Sequence, residues 1–400
     1  MIGNQFSRDK TIPAADLEKL LPTPHAPVSR GKTVSVASLA KLLCSSLGPA
    51  LRLLLHPDTL RQWPRLLFWG NDPVVRFLLQ ASNTAIINRW LNKGTKVVFL
   101  SSFPRSGNTW MRFMLCDILL QLQGVETTTE LPVHPDNLIV LFDGSSIIRR
   151  LNRCPHWAFE PPMAFVKSHK LFSRLEQIFP GAGRAGSGAQ AGAAAPFGGW
   201  RVLYVYRRPE DALVSLFHFG FVDTYWRSRA LGIDAFCRKV VSDWVENISS
   251  YLRAADNGSP VFFVSYEMLA EKPAIVLDDL LHWLGVQHDI QMVRRAVSNM
   301  QFANLQELEI QTNKTRNRTN GNALFFRRGR TGSGRSELQE STLREIHERT
   351  ASLLNEANDR QMKQSSEPLA PATVAPNQSG AGAPPRNEEA REPKISPRTP

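Results

Sequence analysis

The chain has 400 residues, 42% of them hydrophobic, enough for one large α/β domain with extensions or for two small domains. A formal net charge of +12 favours an anionic partner: a nucleotide, an acidic or phosphorylated substrate, nucleic acid or a membrane surface. The four cysteines (Cys44, Cys116, Cys154 and Cys237) form no C-x-x-C pair, which argues against a disulfide framework or zinc cage and for a reducing compartment.

Residues 1–20 are polar and lack an apolar run, so no secretory signal is expected. The stretch 34–55 is apolar but interrupted by Lys41, Gly48, Pro49 and Arg52, too broken to span a membrane. Its Leu39, Leu42, Leu43, Leu47 and Leu51 recur at helical spacing, so a packed helix is expected over about 35–55. A second is predicted from about Asp72 to Leu91, with Pro73 at an early helical position. Residues 1–92 thus read as an N-terminal helical extension without recognisable chemistry.

Val97 to Ser102 is a short apolar, β-branched run, the profile of a buried parallel strand. It leads into Phe103-Pro104-Arg105-Ser106-Gly107-Asn108-Thr109-Trp110, and helical spacing follows over 109–122. Such a strand–turn–helix junction builds an anion site: Gly107 permits the tight turn, and the N–H groups of the first helical turn point outward. Arg105 adds a permanent cation, Ser106 and Thr109 add hydroxyls, and Trp110 can stack on a purine. A Walker loop is disfavoured, because only Gly107 lies in the loop and no lysine follows it.

Next comes the strand-like Ala164-Phe165-Val166, ending in Lys167-Ser168-His169-Lys170. A histidine there can accept a hydroxyl proton, and Lys170 is expected to depress its pKa. Residues 181–199, rich in Gly and Ala, read as a flexible insertion. Arg201 to Tyr206 is another strand, ending in Arg207 and Arg208, and Pro209 opens a helix that carries Glu210, Asp211 and Ser215. The arginines either read an anion at the strand's carboxyl end or pair with the two acids as a solvated cap. Val261 to Ser265 is a further strand, followed by Tyr266 and a helix that ends at Trp283-Leu284-Gly285. Phe326 to Gly332 is a basic, glycine-containing loop, and 361–400 is a Pro-, Ser- and charge-rich tail expected to be disordered. Strands alternating with helices predict an α/β fold, a parallel sheet flanked by helices.

The run Ser102 to Trp110 closely resembles the 5′-phosphosulfate loop of nucleotide-dependent sulfotransferases. Arg201 to Phe219 resembles the family's 3′-phosphate motif, Lys167-Ser168-His169 its catalytic histidine segment, and Phe326 to Gly332 its arginine/lysine–glycine loop. The resemblance covers roughly residues 95–345 and implies a P-loop-like sheet in a sulfotransferase domain over 93–345. It implies 3′-phosphoadenosine-5′-phosphosulfate (PAPS) as donor and His169 as general base. Arg105 and Lys167 would stabilise charge on the sulfuryl group and the departing phosphate. Arg105, Ser106, Gly107, Asn108, Thr109, Trp110, Arg207, Ser215, Tyr266, Phe302, Arg327, Arg328 and Gly329 would hold the nucleotide. Many members carry lysine at the position of Arg105; lysine could pass a proton to the leaving group, whereas arginine only stabilises its charge. The aspartate–tryptophan usual after the second glycine of the last motif is replaced by Ser333-Gly334, which bears on loop packing.

Two rival classes stand beside this reading. A P-loop small-molecule kinase needs a loop lysine and a magnesium-holding aspartate after a strand, and neither is visible. A basic membrane- or nucleic-acid-associated binding protein predicts salt-sensitive binding without nucleotide preference. No metal, no nucleic acid and a cytoplasmic location are expected, with a membrane surface unsupported. The acceptor, a small-molecule, lipid or carbohydrate hydroxyl, is expected to meet residues around 125–160 and 216–236. The sequon at Asn247 matters only in a secretory lumen.

Overall fold

The computed structural model describes residues 73–125, 127, 139–142, 163–180, 199–219, 230–315, 326, 329 and 331–366. The helix expected over 35–55, most of the Gly/Ala insertion, Arg327, Arg328 and much of the two acceptor segments lie outside these residues.

Five strands form, four of them on apolar runs and the second on only two residues: β1 (Lys96–Ser102), β2 (Val140–Leu141), β3 (Met163–Ser168), β4 (Trp200–Tyr206) and β5 (Val261–Ser265). They make one parallel sheet in the order β2-β3-β1-β4-β5. Successive side chains alternate across it. Val97, Phe99, Val166, Val202, Tyr204 and Phe263 enter one core; Val98, Leu100, Phe165, Leu203, Val205 and Val264 enter the other. Both sides are buried, so the strands read as continuous apolar runs instead of alternating ones.

The helices are α1 (Pro73–Asn92), α2 (Asn108–Leu122), α3 (Phe172–Ile178), α4 (Pro209–Phe219) and α5 (Ile233–Asp256). Then follow α6 (Tyr266–Glu271), α7 (Pro273–Trp283), α8 (Ile290–Asn299), α9 (Phe302–Thr315) and α10 (Glu340–Ser366). The first core packs against α1, α3, α4, α5 and α10, the second against α2, α6, α7, α8 and α9. Helix α1 falls where the sequence predicts it. Its Ile87 and Trp90 belong to the sheet core, and Asn83 donates to the Phe142 carbonyl at 3.1 Å.

Three buried tyrosines satisfy their hydroxyls inside the protein, as buried polar tips must. Tyr204 donates to Asn247 Oδ1 at 2.9 Å, Tyr206 to Asn358 and Gln361, and Tyr251 to the Lys170 carbonyl at 2.6 Å. Asn247 is itself buried, so its sequon is closed to a glycan in the folded chain.

Of the segment 361–400 expected to be a disordered tail, only residues 361–366 are described. Residues 361–366 are the final turns of α10. Gln361 Oε1 accepts from Ser265 N at 2.9 Å; Gln364 accepts from Phe263 N at 3.0 Å and donates to the Val261 carbonyl at 2.8 Å. Two glutamines therefore complete the ladder of β5, which among the described residues has a strand on one side only. Composition alone hides this, because glutamine is common both in polar tails and on helices.

Candidate active site

Parallel pairing brings the carboxyl ends of β3, β1 and β4 side by side. Ser101 lies opposite Ser168 and Ser102 opposite Val205, so the segments leaving these strands emerge at one edge. Open α/β sheets bind ligands at such an edge. Thr109, His169 and Arg207 all follow from it, within a few residues of their strand ends.

The loop after β1 turns through Arg105 at φ 70° and Gly107 at φ 100°. Arg105 is the one non-glycine residue at positive φ among those described, a conformation that costs about 1–3 kcal/mol and persists only where its surroundings hold it. Its Nε donates to Ser215 Oγ at 3.1 Å, and its guanidinium lies 4.4 Å from the Phe219 ring centre. Both partners sit on α4, so Arg105 joins the β1 loop to the helix after β4. Gly107 cannot be replaced by a larger residue without movement, since a Cβ there would come 2.6 Å from Tyr266.

Helix α2 starts at Asn108 with no side-chain cap on its first N–H groups. The Ser106 hydroxyl is buried and has no hydrogen-bond partner among the described residues. An uncapped helix start beside an orphaned buried hydroxyl suits a phosphate-type oxyanion. The same groups suit the phosphosulfate end of PAPS, the ligand expected from sequence.

His169 is half-buried just past β3. Its Nδ1 lies 2.8 Å from the Ser102 carbonyl oxygen. A carbonyl only accepts, so Nδ1 carries the proton and the neutral ring presents Nε2 as its basic nitrogen. Burial lowers the His169 pKa well below the usual imidazole value, aided by the charges of Lys167 and Arg112 and opposed by the Ser102 bond. The sequence reading looked to the neighbouring Lys170 for this effect; the charges that lower the ring's pKa include those of Lys167 and Arg112.

Arg207 lies with its guanidinium 4.1 Å from the Tyr266 ring centre and 3.8 Å from Asp211 Oδ2. Of the two acids that could have capped the arginines, Glu210 lies instead beside Arg335. Trp110, Tyr266 and Phe302 form an aromatic wall, with Trp110 centred 5.7 Å from Tyr266 and 6.4 Å from Phe302. Trp110 Nε1 donates to the Met300 carbonyl at 2.8 Å. Gly329 rests on Phe302, where a Cβ would come within 2.5 Å of the ring.

The expected site residues thus meet in linked groups: Arg105 with Ser215, Tyr266 with Gly107, Trp110 and Arg207, Phe302 with Trp110 and Gly329, and His169 with Lys167; Arg327 and Arg328 lie outside the described residues. Three neighbours escaped the sequence reading. Arg112 is 6% exposed and donates to Thr109 Oγ1 at 3.4 Å; burial lowers its pKa to about 10. Its i,i+3 spacing from Thr109 is the signal that could have found it. Phe219 gave none. Asp211 was visible, but its partners were not.

One group with metal-ligand chemistry, Asp278, His282 and His288, also went unnoticed. It lies away from this edge, on α7 and the turn after it, where the Trp283 carbonyl meets Arg201 near the start of β4. His288 Nε2 is 2.7 Å from Asp278 Oδ1, and His288 Nδ1 is 2.9 Å from the Val286 carbonyl. Two ligands on a tetrahedral zinc would stand roughly 3.3 Å apart, given bonds of about 2.0–2.1 Å. The contact is therefore a hydrogen-bonded pair.

Residues 198–365 match the family model of the sulfotransferase domain. That span contains Arg207, Ser215, Tyr266, Phe302 and Gly329, and begins after the β1 loop and His169. Cytosolic sulfotransferase 7 of Arabidopsis thaliana is 23% identical over 258 residues, which are 60% of this chain and 73% of the relative. Cytosolic sulfotransferase 12 of the same plant is 30% identical over 156 residues, 36% of this chain and 47% of the relative. Flavonol 3-sulfotransferase of Flaveria bidentis is 20% identical over 266 residues, 62% of this chain and 78% of the relative. The solved mouse sulfotransferase SULT7A1, crystallised with PAP, superposes with a TM-score of 0.44 at 17% identity, covering 70% of this chain and 92% of that one.

Proposed function

We propose that this chain is a sulfotransferase, on the match of residues 198–365 to that domain's family model and on its curated relatives, and that it transfers a sulfuryl group from PAPS to an acceptor hydroxyl, with His169 as general base. The observation that carries the reading is the pairing of a basic, carbonyl-anchored imidazole with an uncapped, arginine-flanked helix start at one sheet edge. PAPS, when bound, supplies the electrophilic sulfur and a phosphate leaving group.

The chain's own residues then have distinct tasks. His169 Nε2 takes the acceptor's hydroxyl proton as the oxygen attacks, while the Ser102 carbonyl holds the ring in that tautomer. Arg105 and Lys167, with the N–H groups at the start of α2, stabilise developing negative charge by fixed placement. Arg105 cannot pass a proton to the leaving group, so its part is electrostatic. Arg207 and Ser215 take the 3′-phosphate, and Trp110, Tyr266 and Phe302 the adenine side. Arg327 and Arg328 would add charge-assisted bonds to that phosphate, and Gly329 would let their loop turn closely.

For the acceptor we propose a phenolic hydroxyl of the flavonol kind, because relatives that bear that name align over most of their length. A phenol near pKa 10 also gives up its proton more readily than an alkyl alcohol. A cytosolic setting is proposed on the names of the relatives; among the described residues no helix is long and apolar enough to cross a membrane.

Labelled PAPS offered with a library of phenols, sterols, sugars and lipid alcohols tests the reading, together with calorimetric titration of PAP in the absence of magnesium. His169→Ala is expected to bind PAP normally and to lose about 10²–10⁴-fold in turnover. A chain that binds no PAP, or a His169 variant with full activity, would refute it.

A further inference from the structure

The buried carboxylate of Asp211 makes more contacts than a helix-start acid needs. Its side chain has no exposed surface, and it lies in the first turn of α4. Oδ2 accepts from Gly332 N at 2.7 Å and Oδ1 from Gly334 N at 2.6 Å. Arg207 Nη2 stands 3.8 Å from Oδ2. One carboxylate therefore engages a cation at the end of β4 and two backbone amides from a segment more than a hundred residues downstream.

The fit on the other side is equally close. A Cβ at Gly334 would lie 2.4 Å from the Glu210 carbonyl oxygen, so the backbone of residue 334 rests directly on the start of α4. Gly332 is at φ 76°, the left-handed region that glycine tolerates. Two acceptor oxygens meeting two glycine amides is a bidentate arrangement that fixes orientation as well as distance.

We propose that Asp211 is a positioning residue of the nucleotide site: it clamps residues 331–334 onto α4 and holds the Arg207 guanidinium against the Tyr266 ring. The role assigned to Arg207 rests on the function proposed above; the clamp itself does not. The Asp211 carboxylate is fully buried against Arg207 and the two glycine amides. It acts through Arg207, and Tyr266 carries its influence on to Gly107, on which that ring packs. Where the aspartate–tryptophan pair is replaced by Ser333-Gly334, the glycine allows the close approach and Asp211 supplies the polar anchor from the opposite side.

The test compares wild-type protein, Asp211→Asn and Gly334→Ala by amide hydrogen exchange without ligand and by PAP titration. The asparagine keeps the volume but offers one acceptor oxygen in place of two. The alanine leaves the carboxylate intact and forces the segment off α4, so it stands in should the asparagine variant fold poorly. In the wild type the Gly332 and Gly334 amides should be protected. Both variants should lose that protection while amides of β1 and β4 keep theirs, and each should bind PAP about tenfold or more weakly. Wild-type exchange at both glycines as fast as in an open loop overturns the clamp, as does unchanged PAP affinity in both variants, or weakened affinity only in step with loss of protection throughout the sheet. If the wild type binds no PAP at all, the functional reading falls and the exchange result still decides the clamp.

Discussion

His169 and Arg105 show opposite ways of preparing a side chain for chemistry. The pKa of His169 is lowered first by burial and then by Lys167 and Arg112. In the unfolded chain the ring titrates near pH 6.5. Below that value the unfolded chain takes up a proton that the native ring resists, so this group withdraws stability as pH falls through 6.5 and has no effect above it. The same sign applies to catalysis: kcat/KM should not begin to fall on this group until pH drops well below 6.5. Lys167→Met should move that acid limb upward, toward 6.5. A limb that stays put would mean that the lysine charge does not act on the base. Arg105 stores backbone strain, so Arg105→Gly should leave Tm unchanged or raised while turnover falls by about 10²-fold or more, the scale of one lost oxyanion-stabilising group. Loss of both stability and rate together would assign the residue a structural part. The loop residues were legible in sequence because glycine, hydroxyls and arginine have one obvious use after a buried strand. The charges on His169 were not: one comes from β3 itself and one from the second turn of α2, and only the folded strand end aims them at the ring.

Secondary structure was legible wherever a strand is buried on both faces. The runs that became β1, β3, β4 and β5 are short and apolar, and their length and β-branched or aromatic content favour strand over helix. The two-residue β2 carries no such signature and was missed. So was the use made of α10. A helix with mostly polar residues looks expendable, yet Gln361 is 5% exposed and serves Ser265 N and the Tyr206 hydroxyl. Gln361→Ala should destabilise the protein by about 1–3 kcal/mol, because a buried strand amide loses its acceptor. Urea unfolding would register this as a lower midpoint with an unchanged m-value. A variant as stable as wild type would mean that another group takes over the amide.

At the scale of the molecule, the order β3-β1-β4 is what converts three separate motifs into one place. The sequence could show that each motif ends a strand, but not that those strands are neighbours, since sequential order is not spatial order. A ligand that bridges these segments should bind the native state alone. PAP at a hundred times its Kd should therefore add about 2.7 kcal/mol of stability, read as a higher Tm; no shift at that excess would separate the motifs again. The sheet's borders carry a different consequence. On the β2 side the border among the described residues is only two residues long. On the β5 side two glutamine amides occupy hydrogen-bonding positions that another strand would otherwise seek. Cutting the chain ahead of Gln361 would strip that cover and leave a row of hungry amides and carbonyls, so such a truncated form should self-associate edge to edge even with its catalytic machinery still in place.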